Sequence, residues 1–171
     1  MNQQIDRQPK KPGYSQFYWI FFLVFPFMMQ GFKTEEIAGN SPIILPIEAQ
    51  LINGDKAVDL EVARTKLDIA RGLTFRESKD MADDRGMLYA GDFTSDTAFS
   101  GKDNKFATDI LFLNGNRVAY IDRVEACDKQ RCLEHRTNQP YDRVVEVKAG
   151  IANKLKIAVG STVEIRFIPR R

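Results

Sequence analysis

The chain has 171 residues, with 25 lysines and arginines, 23 aspartates and glutamates, two cysteines and one histidine. Residues 1–33 hold four of the basic and one of the acidic residues, so residues 34–171 hold 21 basic and 22 acidic ones. This balance gives no reason to expect nucleic-acid binding, and so few cysteines and histidines exclude a zinc cage unless carboxylates complete it. The sequence indicates no cofactor.

The first 32 residues predict a membrane segment. No charge occurs in residues 12–32, and residues 17–29 are almost wholly apolar. This uncharged stretch is just long enough to cross a bilayer. Arg7, Lys10 and Lys11 precede it, and the positive-inside rule then keeps the N-terminus in the cytoplasm and exports the rest.

We interpret residues 1–32 as an uncleaved signal anchor, because no small-x-small cleavage site follows closely. A cleaved signal peptide and a buried core helix are the alternatives. The anchor predicts a membrane-bound protein whose remaining residues lie on the exported side, in the periplasm or its equivalent. Cleavage would instead give a secreted protein.

Residues 33–46 predict a tether, and residues 47–171 predict one exported domain. The domain begins with a hairpin, because residues 47–52 and 57–62 have strand patterns and Asn53-Gly54 between them is a strong turn signal. A short helix follows. Thr65 and Asp68 have the spacing of a weak capping box, and Gly72 suits the helix end.

Five later segments also have the apolar patterns of strands: residues 87–90, 106–113, 117–121, 142–147 and 162–168. Residues 149–155 predict a short helix or turn. The expected fold class is therefore mainly β (α+β), preceded by an N-terminal membrane helix. Its architecture would be a compact antiparallel sheet or partly closed barrel with one or two short helices.

Five motifs occur in an order that resembles the domain of unknown function family 192. They are Glu-Val-Ala-Arg-Thr at 61–65, Gly-Leu-Thr-Phe-Arg at 72–76, Asp-Arg-Gly-Met-Leu at 84–88, Thr-Asp-Ile-Leu-Phe at 108–112 and Val-Glu-Val-Lys-Ala-Gly at 145–150. The resemblance spans about residues 47–168, and the anchored layout is similar to that of cyanobacterial members. It implies a small, β-rich, usually exported domain without an established activity.

Two departures from the family pattern bear on any transferred site. Thr74 stands where the family usually has methionine. Residues 100–104, Ser-Gly-Lys-Asp-Asn, stand where the family usually has an aromatic-Met-Lys-Asn-Thr stretch. A binding surface built on that stretch would be altered in this chain.

Cys127 and Cys132 enclose four residues in a polar segment. In an oxidising compartment they predict a local disulfide. One alternative is a redox pair, since Lys129 and Arg131 would favour a thiolate. A metal site with His135 is the other, although a lone histidine in a polar segment more often predicts a surface residue.

Asp109 lies in an apolar strand, and a buried carboxylate needs a partner. Arg76 or Arg71 could supply it, forming a carboxylate–guanidinium site that orients a polar ligand. The simpler alternative is a structural ion pair. We therefore treat Arg71, Arg76 and Asp109 as candidate ligand-binding residues, and no residue is identified as catalytic or as a metal ligand.

These patterns favour a non-catalytic domain, tethered to the membrane by its N-terminal helix, that binds a protein, glycan or other envelope component. An enzyme that acts on envelope material through Asp109 and Arg76 is one alternative. A thiol-redox or metal-handling accessory built on Cys127 and Cys132 is the other.

Overall fold

The computed structural model describes Gly39 and residues 41–169. The predicted anchor, residues 1–32, and part of the tether lie outside these described residues, so both remain predictions. Within the described part of the chain, no helix is both long enough and apolar enough to cross a bilayer.

The described residues form nine strands and two short α-helices. The strands are β1 (Ile47–Asn53), β2 (Lys56–Ala63), β3 (Arg85–Tyr89), β4 (Phe99–Ser100), β5 (Thr108–Asn114), β6 (Arg117–Val124), β7 (Glu134–His135), β8 (Arg143–Lys148) and β9 (Glu164–Phe167). The helices are α1 (Lys66–Arg71) and α2 (Ile151–Lys154), and a 3₁₀ turn occupies Ser78–Asp80.

Seven strands form one curled sheet in the order β6-β5-β8-β3-β2-β1-β9, and β4 pairs with β7 in a separate two-stranded sheet. All neighbours in the large sheet are antiparallel except β2 and β3, which are parallel. The connection between these two strands carries α1 and the 3₁₀ turn. The predicted mainly β fold is confirmed.

The two edges of the large sheet approach each other at one end. The segment before β9 bonds to the start of β6: Val118 N donates to Ser161 O, Gly160 N to Val118 O and Val163 N to Asn116 O, at 2.8–2.9 Å. Arg117 and Thr162 also form an antiparallel bridge. The sheet is therefore a half-barrel whose edges meet only there, as the partly closed alternative predicted.

Local sequence signals account for the turns and for α1. Gly54 and Gly115 have φ values of 63° and 58°, a left-handed conformation that suits glycine in tight hairpins. At the start of α1, Thr65 Oγ1 accepts from Asp68 N at 3.0 Å, and Asp68 Oδ2 accepts from Thr65 N at 3.2 Å. The predicted capping box is thus formed.

One face of the large sheet carries a cluster of aliphatic residues that we call the aliphatic core. It takes residues from six strands and is covered by α2 and the segment after it. The members from the strands include Leu51, Leu60, Leu88, Leu111, Val118 and Val145, and those from the cover are Ile151, Ala152, Leu155 and Ile157. Because both sides of the half-barrel contribute, this core fills the inside of the curl.

The opposite face of the sheet carries a second cluster, which we call the aromatic–polar layer. Its rings are in mutual contact at centroid distances of 5.0–5.9 Å and belong to Tyr89, Phe93, Phe99, Phe112, Tyr120 and Tyr141. Leu73, Met81 and Met87 pack into the same cluster. Glu61, Arg76, Thr108 and Glu146 are also buried on this side.

Candidate binding site

Arg76 is fully buried and forms an ion pair with Glu61 in the aromatic–polar layer. Its Nη1 donates to Glu61 Oε1 at 2.7 Å and its Nη2 donates to Oε2 at 2.5 Å. Arg76 also donates to the carbonyl oxygen of Ile43, and Glu61 accepts from Leu45 N at 2.7 Å. The pair therefore attaches residues 43–45 to β2 and uses both carboxylate oxygens.

Glu146 in β8 is the second buried carboxylate of this layer. Its Oε2 accepts from the Tyr89 hydroxyl at 2.6 Å, and its Oε1 accepts from the Thr108 hydroxyl at 2.5 Å. Burial raises the pKa of Glu146 above its ordinary value, while these two hydrogen bonds and the nearby charges of His135 and Arg76 oppose the rise. The pKa of Tyr89 is also raised, by burial and by Glu146.

The expected pairing of Asp109 with Arg76 or Arg71 is wrong. Asp109 Oδ2 instead accepts from Gly150 N at 2.7 Å and from Ala152 N at 3.2 Å, and so holds the start of α2. Successive residues of a strand point to opposite faces. Thr108 faces the aromatic–polar layer, so Asp109 faces the aliphatic core, away from Arg76.

Arg71 lies at the end of α1 and contacts the segment that leads into β1. Its Nη2 donates to Ser41 O at 2.7 Å, and its guanidinium carbon lies 5.8 Å from the centre of the Phe75 ring. Each of the three candidate ligand-binding residues therefore has its own structural role in a different place. The structure does not bring them together in one carboxylate–guanidinium site.

Cys127 and Cys132 have their sulfur atoms at disulfide distance, 2.05 Å apart. The loop that they close borders an open groove of about 270 Å³, which we call the disulfide groove. Most of the segment 125–133 lines it, together with Gly101, Arg123 and His135. The polar segment in which the sequence placed both cysteines therefore forms a concave surface.

The stretch 100–104, which departs from the family pattern, is hydrogen-bonded to the loop that lines the disulfide groove. Cys127 N donates to Gly101 O at 2.9 Å, and Asp103 N donates to Cys127 O at 2.7 Å. A Cβ on Gly101 would lie 1.9 Å from the backbone oxygen of Glu125. Only glycine fits there, so this position fixes the approach of the groove loop to the stretch.

His135 is not the surface residue that its polar surroundings predicted, because its side chain is only 5% exposed. It pairs with Phe99 in the small sheet, and its Nδ1 lies 2.7 Å from Asp122 Oδ2. A carboxylate can only accept, so Nδ1 carries the proton. Among the described residues, Nε2 has no hydrogen-bond partner, and the ring lines the disulfide groove.

A second depression of about 420 Å³ lies where the segment before β9 meets β6. Among the described residues that line it, Arg117 alone is charged. The disulfide groove has five charged lining residues and a buried histidine. Since a few convergent polar groups give a binding site its specificity, the disulfide groove is the better candidate.

Within residues 41–169, no group of three or more histidine, cysteine, aspartate or glutamate side chains is placed to hold a metal ion. Sequence reasoning passed over Glu61 and Glu146, and it predicted that His135 would lie at the surface. The two glutamates each stand inside an apolar strand run, Leu60-Glu61-Val62 and Val145-Glu146-Val147. That position signals a buried carboxylate with a partner, whereas no comparable signal marks His135.

Comparisons with known proteins extend these observations. The family model of DUF192, described as "Uncharacterized ACR", matches residues 49–165. A comparison with curated proteins gives no match.

Two solved structures share the fold. One, from Sinorhizobium meliloti 1021, is provisionally described as a transcription regulator. It is 22% identical to this chain with a TM-score of 0.60, and the match covers 72% of this chain and 97% of the other. The other, a protein of unknown function from Novosphingobium aromaticivorans DSM 12444, is 24% identical, with a TM-score of 0.58, over 74% of this chain and 94% of that one. At such identities the likeness concerns the fold alone.

Proposed function

The chain belongs to the DUF192 family, and from this premise we propose that it is an exported, membrane-tethered domain that binds an envelope protein or glycan without catalysing a reaction. The disulfide groove is its binding surface. The N-terminal segment 1–32 is its anchor, and the first part of residues 33–46 joins the anchor to the domain, onto which residues 41–45 are hydrogen-bonded.

The observation that carries the proposal is a contrast between buried and exposed polar groups. The buried carboxylates Glu61, Asp109 and Glu146 each accept hydrogen bonds from within the domain. They are therefore occupied in holding the fold. In the disulfide groove, by contrast, the side chains of Lys129 and Arg131 form no hydrogen bond or ion pair with any described residue, so they are available to a partner.

The cysteine pair supports the exported location. Disulfides persist in oxidising compartments and are rare in the cytosol. Closing so short a loop stabilises a domain by about 2 kcal/mol in the chain-entropy account. A domain exposed to the envelope environment gains this stability permanently, and its groove keeps a fixed shape.

The location can be tested with the full chain carrying a C-terminal tag. Added protease should digest the tag in intact spheroplasts, because the domain lies outside the cytoplasmic membrane. A cytoplasmic reporter protein must stay intact in the same sample. Protection of the tag until the membrane is lysed would overturn the exported location.

The binding surface can be tested by placing a photo-cross-linking residue at Leu133, which lines the groove and is 75% exposed. Leu67 on α1, 47% exposed, is the matched control position. We expect a discrete adduct in native membranes from position 133 only, abolished by Lys129→Glu/Arg131→Glu. Equal adducts at both positions, or an adduct that survives the charge reversal, would overturn the assignment of the groove.

A further inference from the structure

We propose that the disulfide groove binds an anionic oxygen group, a carboxylate or a phosphate, on its ligand. This inference rests on the proposed function for the kind of molecule that carries the group. It adds the chemistry of recognition, and that chemistry follows from the charges of the rim and from the single histidine of the floor.

The charged residues that line the groove carry one more positive than negative charge. Its positively charged lining residues are Arg123, Lys129 and Arg131, and its negatively charged ones are Glu125 and Asp128. Arg123 Nε lies 3.5 Å from Glu125 Oε1, so these two charges largely offset each other. Lys129 and Arg131 then exceed Asp128 by one positive charge, although residues 34–171 as a whole are slightly acidic.

An arginine and a lysine that line one groove suit an oxyanion. The guanidinium presents parallel N–H donors that match a carboxylate or phosphate, and the ammonium adds a compact charge. Both side chains are exposed, and both belong to the loop that the cysteine pair closes. A ligand anion in the groove can therefore meet both cations without breaking an ion pair inside the protein.

The floor of the groove adds an imidazole whose orientation is fixed. Asp122 holds the ring of His135 through Nδ1, and the surrounding residues bury the side chain. Nε2 has no hydrogen-bond partner among the described residues, so it is the ring nitrogen left to contact a ligand. The neighbouring charged groups are Asp122, Glu146 and the five charged residues of the rim.

The loop is also preorganised, which reduces the conformational entropy that binding would remove. The cysteine pair closes residues 127–132, and two backbone hydrogen bonds attach Cys127 to Gly101 and Asp103. The backbone that carries Lys129 and Arg131 is therefore constrained before a ligand arrives. This rigidity distinguishes the groove from a mobile surface lysine cluster.

The single histidine of the sequence gives a direct test by NMR. The full chain, labelled with ¹³C-histidine in detergent micelles, should show one Hε1 signal, from His135. We expect glucuronate, glucose 6-phosphate or both to shift this signal with saturation. Glucose and sodium chloride at matched ionic strength should not. A response to glucuronate alone identifies a carboxylate site, and a response to glucose 6-phosphate alone identifies a phosphate site.

Charge reversal makes the test specific for the rim. Lys129→Glu/Arg131→Glu should weaken binding by about tenfold to a hundredfold, the effect of losing hydrogen bonds to charged groups. Lys66→Glu/Lys105→Glu makes the same charge change outside the groove and should leave the affinity unchanged. Equal weakening in both variants, or a shift that grows linearly with any salt, would overturn the inference.

Failure here can be told apart from failure of the proposed function. A silent His135 signal combined with a retained adduct at position 133 would overturn only the anionic chemistry of the ligand. Saturable anion binding without a groove-specific adduct would overturn only the assignment of the groove as the surface that meets an envelope component.

Discussion

The two faces of the half-barrel are stabilised in different ways. The aliphatic core consists of apolar side chains, with Asp109 as a polar neighbour on the same face, and its packing depends on volume. The aromatic–polar layer has buried charges among its rings, so it depends on hydrogen-bond partners as well as on shape. A change of volume should therefore matter most on the first face, and the loss of a hydrogen-bond partner most on the second.

The largest effect should come from removing one partner of the buried ion pair. Arg76→Met leaves Glu61 as an unpaired buried charge, and we expect the free energy of unfolding to fall by about 3–5 kcal/mol. Denaturation followed by circular dichroism measures this loss. Glu61→Leu/Arg76→Met should recover most of it, because no charge is then buried alone.

The control for this comparison is an exposed ion pair of similar geometry. Arg166 Nε lies 2.9 Å from Glu164 Oε1, and both side chains are more than half exposed. Arg166→Met should change the free energy of unfolding by less than about 0.5 kcal/mol. If the Glu61→Leu/Arg76→Met protein were as unstable as Arg76→Met, the unpaired charge could not be the cause.

The aliphatic core should respond to lost volume. Leu111 is fully buried there, and Leu111→Ala removes apolar contacts and leaves a cavity. We expect a loss of about 3 kcal/mol, within the range for buried leucines. Leu111→Met keeps the volume and should lose less than about 1.5 kcal/mol. Equal losses in the two variants would show that volume does not control this face.

The polar contact on the side of the aliphatic core should have a smaller effect. Asp109→Ala removes the acceptor for Gly150 N and Ala152 N at the start of α2. Loss of a capping side chain lowers stability by about 1–2 kcal/mol. Faster hydrogen exchange at these two amides, without a change at Arg76, would accompany it. Unchanged exchange there would contradict the capping role.

The subtlest expected effect is a change in pH dependence. Burial raises the pKa of Glu146 in the folded protein above the ordinary 4.5. Its contribution to stability is therefore complete below pH 4.5 and is lost as the pH rises through the folded pKa. Relative to Glu146→Gln, the wild-type free energy of unfolding should decrease over this range. A constant or increasing difference would contradict a raised pKa.

Short-range features of the fold could be predicted because their causes are local. Asn53-Gly54 and Asn114-Gly115 fix two hairpins, and Thr65 with Asp68 begins α1. The parallel pairing of β2 with β3 could not be predicted in this way. No residue pattern indicates which distant strand a segment joins, and the sheet order depends on how all seven strands share one core.

In the candidate site, too, local features could be predicted and long-range contacts could not. The disulfide could be predicted from the spacing of the two cysteines and from the predicted export of the domain. The partner of Arg76 was not, although the alternation of β5 already places Asp109 and Thr108 on opposite faces. The burial of His135 was the hardest feature to predict. It depends on the pairing of β4 with β7 and on Asp122, and the residues next to His135 in the sequence do not indicate these contacts.

The pairing of β9 with β1 makes the first and last strands of the domain neighbours. A polypeptide that leaves a ribosome or a translocation channel from its N-terminal end exposes one edge of β1 until residues 164–167 have also emerged. An unpaired edge invites association with other chains. A prematurely terminated product lacking only the last ten residues would therefore be prone to aggregate, although almost all of its core residues would be present.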